Sequence, residues 1–193
     1  MSGEVAVVIL AGGEGRRMGG NKPLQILAGE RLIDRALRQA RRWSDLVAVA
    51  VRASQQAQPI DARLLADDPD VEGPLGGLVT ALRFGQEQGR DLVLTIPADM
   101  PFLPPDLLGR LATAITGVEC ALASSGAHLH PVCGLWRTTV LNEVGRYVES
   151  QRRSLKGLAE LIGFAIVEWP IDPIDPFFNV NSADDLRQSE QFL

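Results

Sequence analysis

An α/β fold is predicted, three layers deep, with a mostly parallel sheet covered by helices on both faces. Two observations carry this. Val5–Leu10, Leu46–Val51 and Leu92–Pro97 are apolar throughout rather than alternating, the pattern of strands buried on both sides. Longer segments of helical spacing separate them, and strand–helix alternation with short connections folds a sheet between two helical layers. At 193 residues the chain is one domain with a substantial core.

The elements follow in order. Val5–Leu10 is the first strand and runs into a glycine-rich loop. Leu32–Trp43 sets Leu32, Ile33, Ala36, Leu37 and Ala40 on one helical face, with arginines opposite. Leu46–Val51 is the second strand. Leu75–Phe84 is a helix, Leu92–Pro97 the third strand, and Pro105–Ile115 a further helix whose paired prolines suit its start. Val118–Ala123 and Leu129–Trp136 read as two strands around the turn Ser125-Gly126, an antiparallel element that interrupts the alternation. Ser182-Ala-Asp-Asp185 has the spacing of a capping box before a terminal helix. There is no repeat, low-complexity tract or linker.

Composition excludes several function classes. A hydrophobic fraction of 46% with 22% charged residues is that of a soluble globular protein. The net charge of −5 argues against general binding of nucleic acid or anionic membrane, which needs basic surface. The first apolar run is short, follows Glu4 and lacks a cationic leader, so it is not read as a signal peptide, and no run reaches membrane-spanning length. Cys120 and Cys133 form no C-x-x-C pair, which suits the reduced, buried thiols of a cytoplasmic protein.

The richest stretch is Leu10-Ala-Gly-Gly-Glu-Gly-Arg-Arg-Met-Gly-Gly-Asn-Lys22. Glycines let backbone N–H groups approach a polyphosphate, and Arg16, Arg17 and Lys22 supply fixed positive charge. A plain surface turn would not need Gly12, Gly13, Gly15, Gly19 and Gly20 together, since each adds to the entropy lost on ordering. Two familiar phosphate loops are excluded. The dinucleotide fingerprint G-x-G-x-x-G fails because Met18 stands at its third glycine. The P-loop fails because Asn21 separates Gly20 from Lys22 and Pro23 follows the lysine.

Asp99, in Pro97-Ala-Asp-Met-Pro101, stands just past an apolar strand, where open α/β sheets bind ligands. A hard divalent cation takes few protein carboxylates besides phosphate oxygens and water, so Asp99 is a candidate ligand for Mg²⁺; a turn-capping aspartate would look the same. Asp67 and Asp68 also follow an apparent strand end, in a run that equally suits a turn. Gly73-Pro-Leu-Gly-Gly77 lets a helix N-terminus approach a nucleotide. His128 and His130 do not make a zinc site without further ligands nearby, and His-Pro reads as structural, with His130 near any acceptor.

Taken together, L-A-G-G-x-x-x-R-M-G-x-x-K, Glu72-Gly-Pro-Leu-Gly-Gly77, Pro97-Ala-Asp-Met-Pro-Phe102, His130-Pro131 and Phe178-Asn-Val-Asn-Ser-Ala-Asp-Asp-Leu186 resemble the molybdenum cofactor guanylyltransferases, the MobA family of nucleotidyltransferases. The resemblance spans almost the whole chain and departs from the family at Asn21, usually Asp, and Ala98, usually Cys. It implies a Rossmann-like nucleotidyltransferase domain over residues 1–193, with a nucleotide-binding half at about 1–102 and an acceptor-binding half at about 103–193. By the same resemblance Leu10, Ala11, Gly12 and Gly13 line the guanine and ribose, Arg52 and Asp67 lie by the base, Arg17 and Lys22 act on the triphosphate, and Asp99 holds Mg²⁺. An Asp carboxylate accepts from guanine N1–H and its amine, a pattern adenine does not offer. Asn179 and Asn181 fall on the acceptor side, where their amides donate and accept; a turn would also favour asparagine there.

The resemblance implies transfer of GMP from GTP to molybdopterin, by a monomer in transient contact with other molybdenum cofactor biosynthesis proteins and recipient molybdoenzymes. Three rivals stand beside it: the CTP-using enzyme on the same acceptor, a sugar-phosphate nucleotidyltransferase, and a nucleotide-binding module without activity. Ala11-Gly-Gly13 rather than Ala-Ala-Gly favours GTP over CTP.

Overall fold

The structure, a computed structural model, describes residues 5–12, 22–53, 57–71 and 73–193. Its main sheet has seven strands: β1 (Val5–Leu10), β4 (Val47–Val51), β5 (Arg63–Ala66), β6 (Leu92–Pro97), β7 (Cys120–Ser125), β8 (His128–Arg137) and β9 (Phe164–Trp169). A separate hairpin pairs β2 (Ile26–Leu27) with β3 (Glu30–Arg31). The sheet order is β5-β4-β1-β6-β8-β7-β9, and β8 alone runs against its neighbours.

Side-chain alternation along β1 sorts the core into two layers, because successive residues face opposite sides of a strand. Val5, Val7 and Ile9 pack with the apolar face of α1 (Leu32–Trp43) and with Leu107 and Leu111 of α3 (Leu107–Ala114). Ala6 and Val8 pack with Leu75, Leu78 and Leu82 of α2 (Pro74–Glu87), beside α4 (Leu141–Glu149) and α5 (Leu155–Ile162). All of the β1 residues Val5 to Ile9 are at most 2% exposed, which is why this run is apolar without alternation. A small third cluster ties Leu27, Leu32 and Val180 together, beside Leu186 of α6 (Ala183–Glu190).

The expected elements are present with shifted ends. β1, β6 and α1 match residue for residue, whereas α2 extends to Pro74–Glu87 and α3 begins two residues late, at Leu107. Pro105 is not the helix start: its carbonyl instead accepts a 2.8 Å bond from Trp43 Nε1. Ser182 does cap α6, accepting from the Asp185 amide. The β2–β3 hairpin, α4, α5 and the edge strand β9 are additional to the predicted set. Among the described residues no helix is long and apolar enough to cross a membrane.

Chain order positions the site. From β1 the chain winds outward to β4 and β5, then crosses back to β6 on the other side of β1. The order therefore reverses between β1 and β6, and the crevice beyond the carboxyl ends of such strands is where open α/β sheets bind ligands.

Candidate active site

Four strands end at this crevice, each followed by a candidate residue. Past β1, the Ala11 amide donates to Ala50, and Val51 at the end of β4 accepts from the amide of Asp67, which follows β5. The Ala98 amide, past β6, donates to Leu10. These backbone bonds hold Gly12, Arg52, Asp67 and Asp99 around one cavity of about 220 Å³, which Leu10, Asn179 and Val132 also line. Gly73 and Pro74 bring the N-terminus of α2 to the same wall. Gly73 takes φ 72°, in the region that favours glycine, and Pro74 supplies the preset first turn. A larger adjoining cavity shares Arg52, Asp67, Gly73 and Pro74 and adds Arg153, so the two form one cleft.

At one end of the cavity, Gly12 lies against Asp67 closely enough that a Cβ would overlap Asp67 Oδ2. Asp67 Oδ1 is buried and has no hydrogen-bond partner in the structure. Burial pushes the Asp67 carboxyl above the usual carboxylate range, and the Arg52 guanidinium opposes that shift. A buried acceptor without a partner is uncommon in a folded chain and can accept from a donor that enters the cleft.

At the other end of the cavity, Lys22 Nζ donates to Asp99 Oδ2, to Asn179 Oδ1 at 3.0 Å and to Asn181 Oδ1 at 2.8 Å. All three ammonium protons therefore have acceptors. The Val180 amide, between the two asparagines, donates to the Asp99 carbonyl at 2.9 Å, fixing that segment against the strand end. Asp99 Oδ1 is buried with no hydrogen-bond partner.

Most of the predicted site residues thus meet. Leu10, Gly12, Arg52, Asp67, Asp99 and Asn179 line one cavity, with Lys22 joined to it through Asp99 and Asn181 through Lys22. Ala11 does not line it: it is 3% exposed and serves the sheet. Gly13 and Arg17 lie outside the described residues. His128 and His130 form no metal pair. His128 Nδ1 lies 3.1 Å from the Gly126 carbonyl, whereas His130 Nε2 meets Ser125 Oγ at 2.8 Å. Among the described residues no three or more His, Cys, Asp or Glu gather in a metal cage.

Val132, Asp175 and Phe177 were not singled out from sequence. Asp175 sits in the run Asp172-Pro-Ile-Asp-Pro176, which reads as a turn, and the His130-Pro131 motif and the Phe178–Leu186 stretch were the pointers to this region. The thiols offer no nucleophile. Burial pushes Cys120 up to about 12 and Cys133 well above the usual thiol value, so both stay protonated at neutral pH.

A model of the MobA-like NTP transferase domain matches residues 7–163. The molybdenum cofactor guanylyltransferase of Nitrobacter hamburgensis is 34% identical, covering 95% of this chain and 92% of its own. That of Bradyrhizobium sp. is 35% identical, covering 95% and 91%. Among solved structures, molybdopterin-guanine dinucleotide biosynthesis protein A from Archaeoglobus fulgidus superposes with a TM-score of 0.77 at 24% identity over 97% of each chain. A 4-diphosphocytidyl-2C-methyl-D-erythritolsynthase from Anaerococcus prevotii gives 0.76 at 13% identity, covering 97% and 95%. These two structures share the fold. With a matching domain model over most of its length and relatives above 30% identity along nearly all of it, the chain belongs to the MobA-like NTP transferase family.

Proposed function

We propose that this protein transfers GMP from GTP to molybdopterin, releasing pyrophosphate and forming the molybdopterin guanine dinucleotide cofactor. The observation that carries this reading is the junction of Lys22, Asp99, Asn179 and Asn181 at one end of a cleft whose other wall presents Asp67 and the N-terminus of α2. Such a cleft has a base-recognition end and a cationic end where two phosphates can meet. The acceptor phosphate oxygen bonds to the α-phosphorus of GTP as the bond from that phosphorus to pyrophosphate breaks. No covalent enzyme intermediate is needed, so catalysis rests on positioning and charge neutralisation.

Lys22 supplies charge where donor and acceptor phosphates come together, and the two asparagine amides orient both Lys22 and the acceptor. The amides at the start of α2 and its dipole favour the phosphates. Arg17 is assigned to the triphosphate by the family's loop motif.

Asp99 fits Mg²⁺. Its Oδ2 is engaged by Lys22 while buried Oδ1 is unpartnered, and a single carboxylate suits an ion that takes its other ligands from phosphates and water. When bound, Mg²⁺ supplies charge neutralisation to phosphate oxygens. A cytoplasmic setting is supported by two buried, unbridged thiols.

Pyrophosphate release with molybdopterin, Mg²⁺ and each of GTP, CTP and ATP tests the reading. Release with GTP is expected; release with CTP alone would reassign the nucleotide, and release with none would leave a binding module. Asp67 gives this experiment a pH axis. Its ionised form accepts from guanine, so protonation weakens binding, and a raised pKa moves that loss to higher pH than an ordinary carboxylate would show. Fluorescent GTP titrations from neutral to acid pH should reveal it. Asp67→Asn should flatten the profile and erode the preference for GTP, whereas an unaltered profile would make Asp67 a turn residue.

Gly12→Ala is expected to weaken GTP binding roughly tenfold by displacing Asp67, an overpacking effect of ordinary size. Unchanged affinity in the same titration would mean that Asp67 needs no such close support.

A further inference from the structure

The acceptor side contains a device that the reaction as described does not use. β7 and β8 pair from Cys120↔Trp136 to Leu122↔Gly134, and the register then jumps to Ala123↔His130. Pro131, Val132 and Cys133 therefore stand opposite no β7 residue, a bulge that bends β8. The pairing of β6 with β8 also stops at Thr95↔Gly134, just before the bulge. The segment from Asp175 to Asn181 passes this region and reaches Asp99.

That segment is held at both ends. At the far end Val180 N–H bonds to Asp99, as described. At the near end the Phe177 ring, 2% exposed, stacks on His130 with centroids 4.7 Å apart and planes 21° from parallel. Its other side meets the Trp169 ring edge-on at 5.5 Å. Asp175 Oδ1 accepts from the Phe177 amide at 2.9 Å and from Ser125 Oγ at 2.8 Å. Ser125 is 1% exposed and lies 2.8 Å from His130 Nε2. A carboxylate only accepts, so Ser125 gives its proton to Asp175 and takes one from His130. This order places the imidazole proton on Nε2 and makes a directed chain, His130 to Ser125 to Asp175.

We propose that His130, Ser125 and Asp175 form a clamp that positions Asn179 and Asn181 for the acceptor phosphate. The clamp grips Phe177 through its ring and its backbone, two residues before Asn179. His130 and Ser125 are positioning residues, acting through that segment rather than touching substrate. Acceptor geometry is sensitive to them because a misplacement of about 1 Å can cost on the order of 10²-fold in rate. The nucleotide half, built on the ends of β1, β4 and β5, lies outside the clamp. The role rests on the transfer reaction proposed above; the mechanical coupling does not.

The test uses the full chain with His130→Phe, Ser125→Ala and the double variant. His130→Phe keeps a ring for Phe177 and loses the N–H donor. Each single variant should raise the KM for molybdopterin about tenfold, within the range for coupled neighbours. Affinity for a fluorescent GTP analogue should fall by less than the change in KM, since the clamped segment reaches the nucleotide chiefly through Lys22 while Gly12, Arg52 and Asp67 keep their places. The double variant should match the singles, because either change breaks the same chain. Amide exchange at Val180 should accelerate in all three. Unchanged Val180 exchange would overturn the clamp, as would multiplying KM effects or an equal loss of GTP affinity. If wild-type protein releases no pyrophosphate with molybdopterin, the reaction fails while Val180 exchange still decides the coupling. Should His130→Phe fail to fold, Ser125→Ala alone gives the exchange rate and the KM comparison.

Discussion

Replacing Lys22 with alanine is expected to lower turnover by roughly 10²–10³-fold, the usual loss for one donor aimed at developing transition-state charge. The lysine is placed for such a role. Its side chain is 12% exposed, and its ammonium is fixed by three acceptors from two distant parts of the chain. A charge ordered in advance costs little reorganisation when the reaction occurs. Removing it also leaves Asp99 without its counter-ion, so part of any loss could come from structure. Lys22→Arg separates the two effects. It keeps the charge but spreads it over a planar fork that does not reproduce a compact three-donor ammonium. We expect Lys22→Arg to retain most of the thermal stability and little of the turnover. Near-wild-type turnover in the alanine variant would remove Lys22 from the reaction.

Asp99→Asn is expected to cost more, at least about 10³-fold, because it removes the charge partner that Lys22 has among the described residues and the proposed metal oxygen together. The side chain keeps its shape but Lys22 loses its counter-ion, so thermal stability should fall as well and is measured alongside. Electron paramagnetic resonance of Mn²⁺ in the presence of a non-hydrolysable GTP analogue reads the metal without relying on turnover. The wild-type chain should bind Mn²⁺ under these conditions, and the variant should lose most of that binding. Retained metal binding with lost turnover would leave Asp99 as an anchor for Lys22 alone. Retained Mg²⁺-dependent turnover would move the metal elsewhere.

The parallel core was legible because strands buried on two faces leave an uninterrupted apolar run, as Val5 to Ile9 do. The cleft residues were legible for a related reason: Asp99 stands just past such a run and Asp67 past the short apolar stretch of edge strand β5, and strand ends are where this architecture opens. β9 was harder. It lies at the sheet edge with Ile166 60% exposed, so its apolar residues do not report burial. The clamp was invisible in sequence because its members are Ser125 at the end of one strand, His130 beyond a turn, and Asp175 in a proline-rich loop. The β7–β8 hairpin sets Ser125 opposite His128, one pleat from His130, and Asp175 arrives from a loop 50 residues away. Even so, the Asn179 and Asn181 reading and the Asp99 reading, reached separately from sequence, share one lysine in three dimensions.

That shared lysine ties together positions 157 and 159 residues apart. Such a contact closes a loop of most of the chain, and loop-closure entropy makes long connections late to form during folding. Intermediates with paired β1, β4 and β6 but an undocked C-terminal segment would have native sheet content and no cation cage. Recovery of turnover on refolding should therefore lag recovery of sheet signal, making catalysis a sensitive gauge of complete folding.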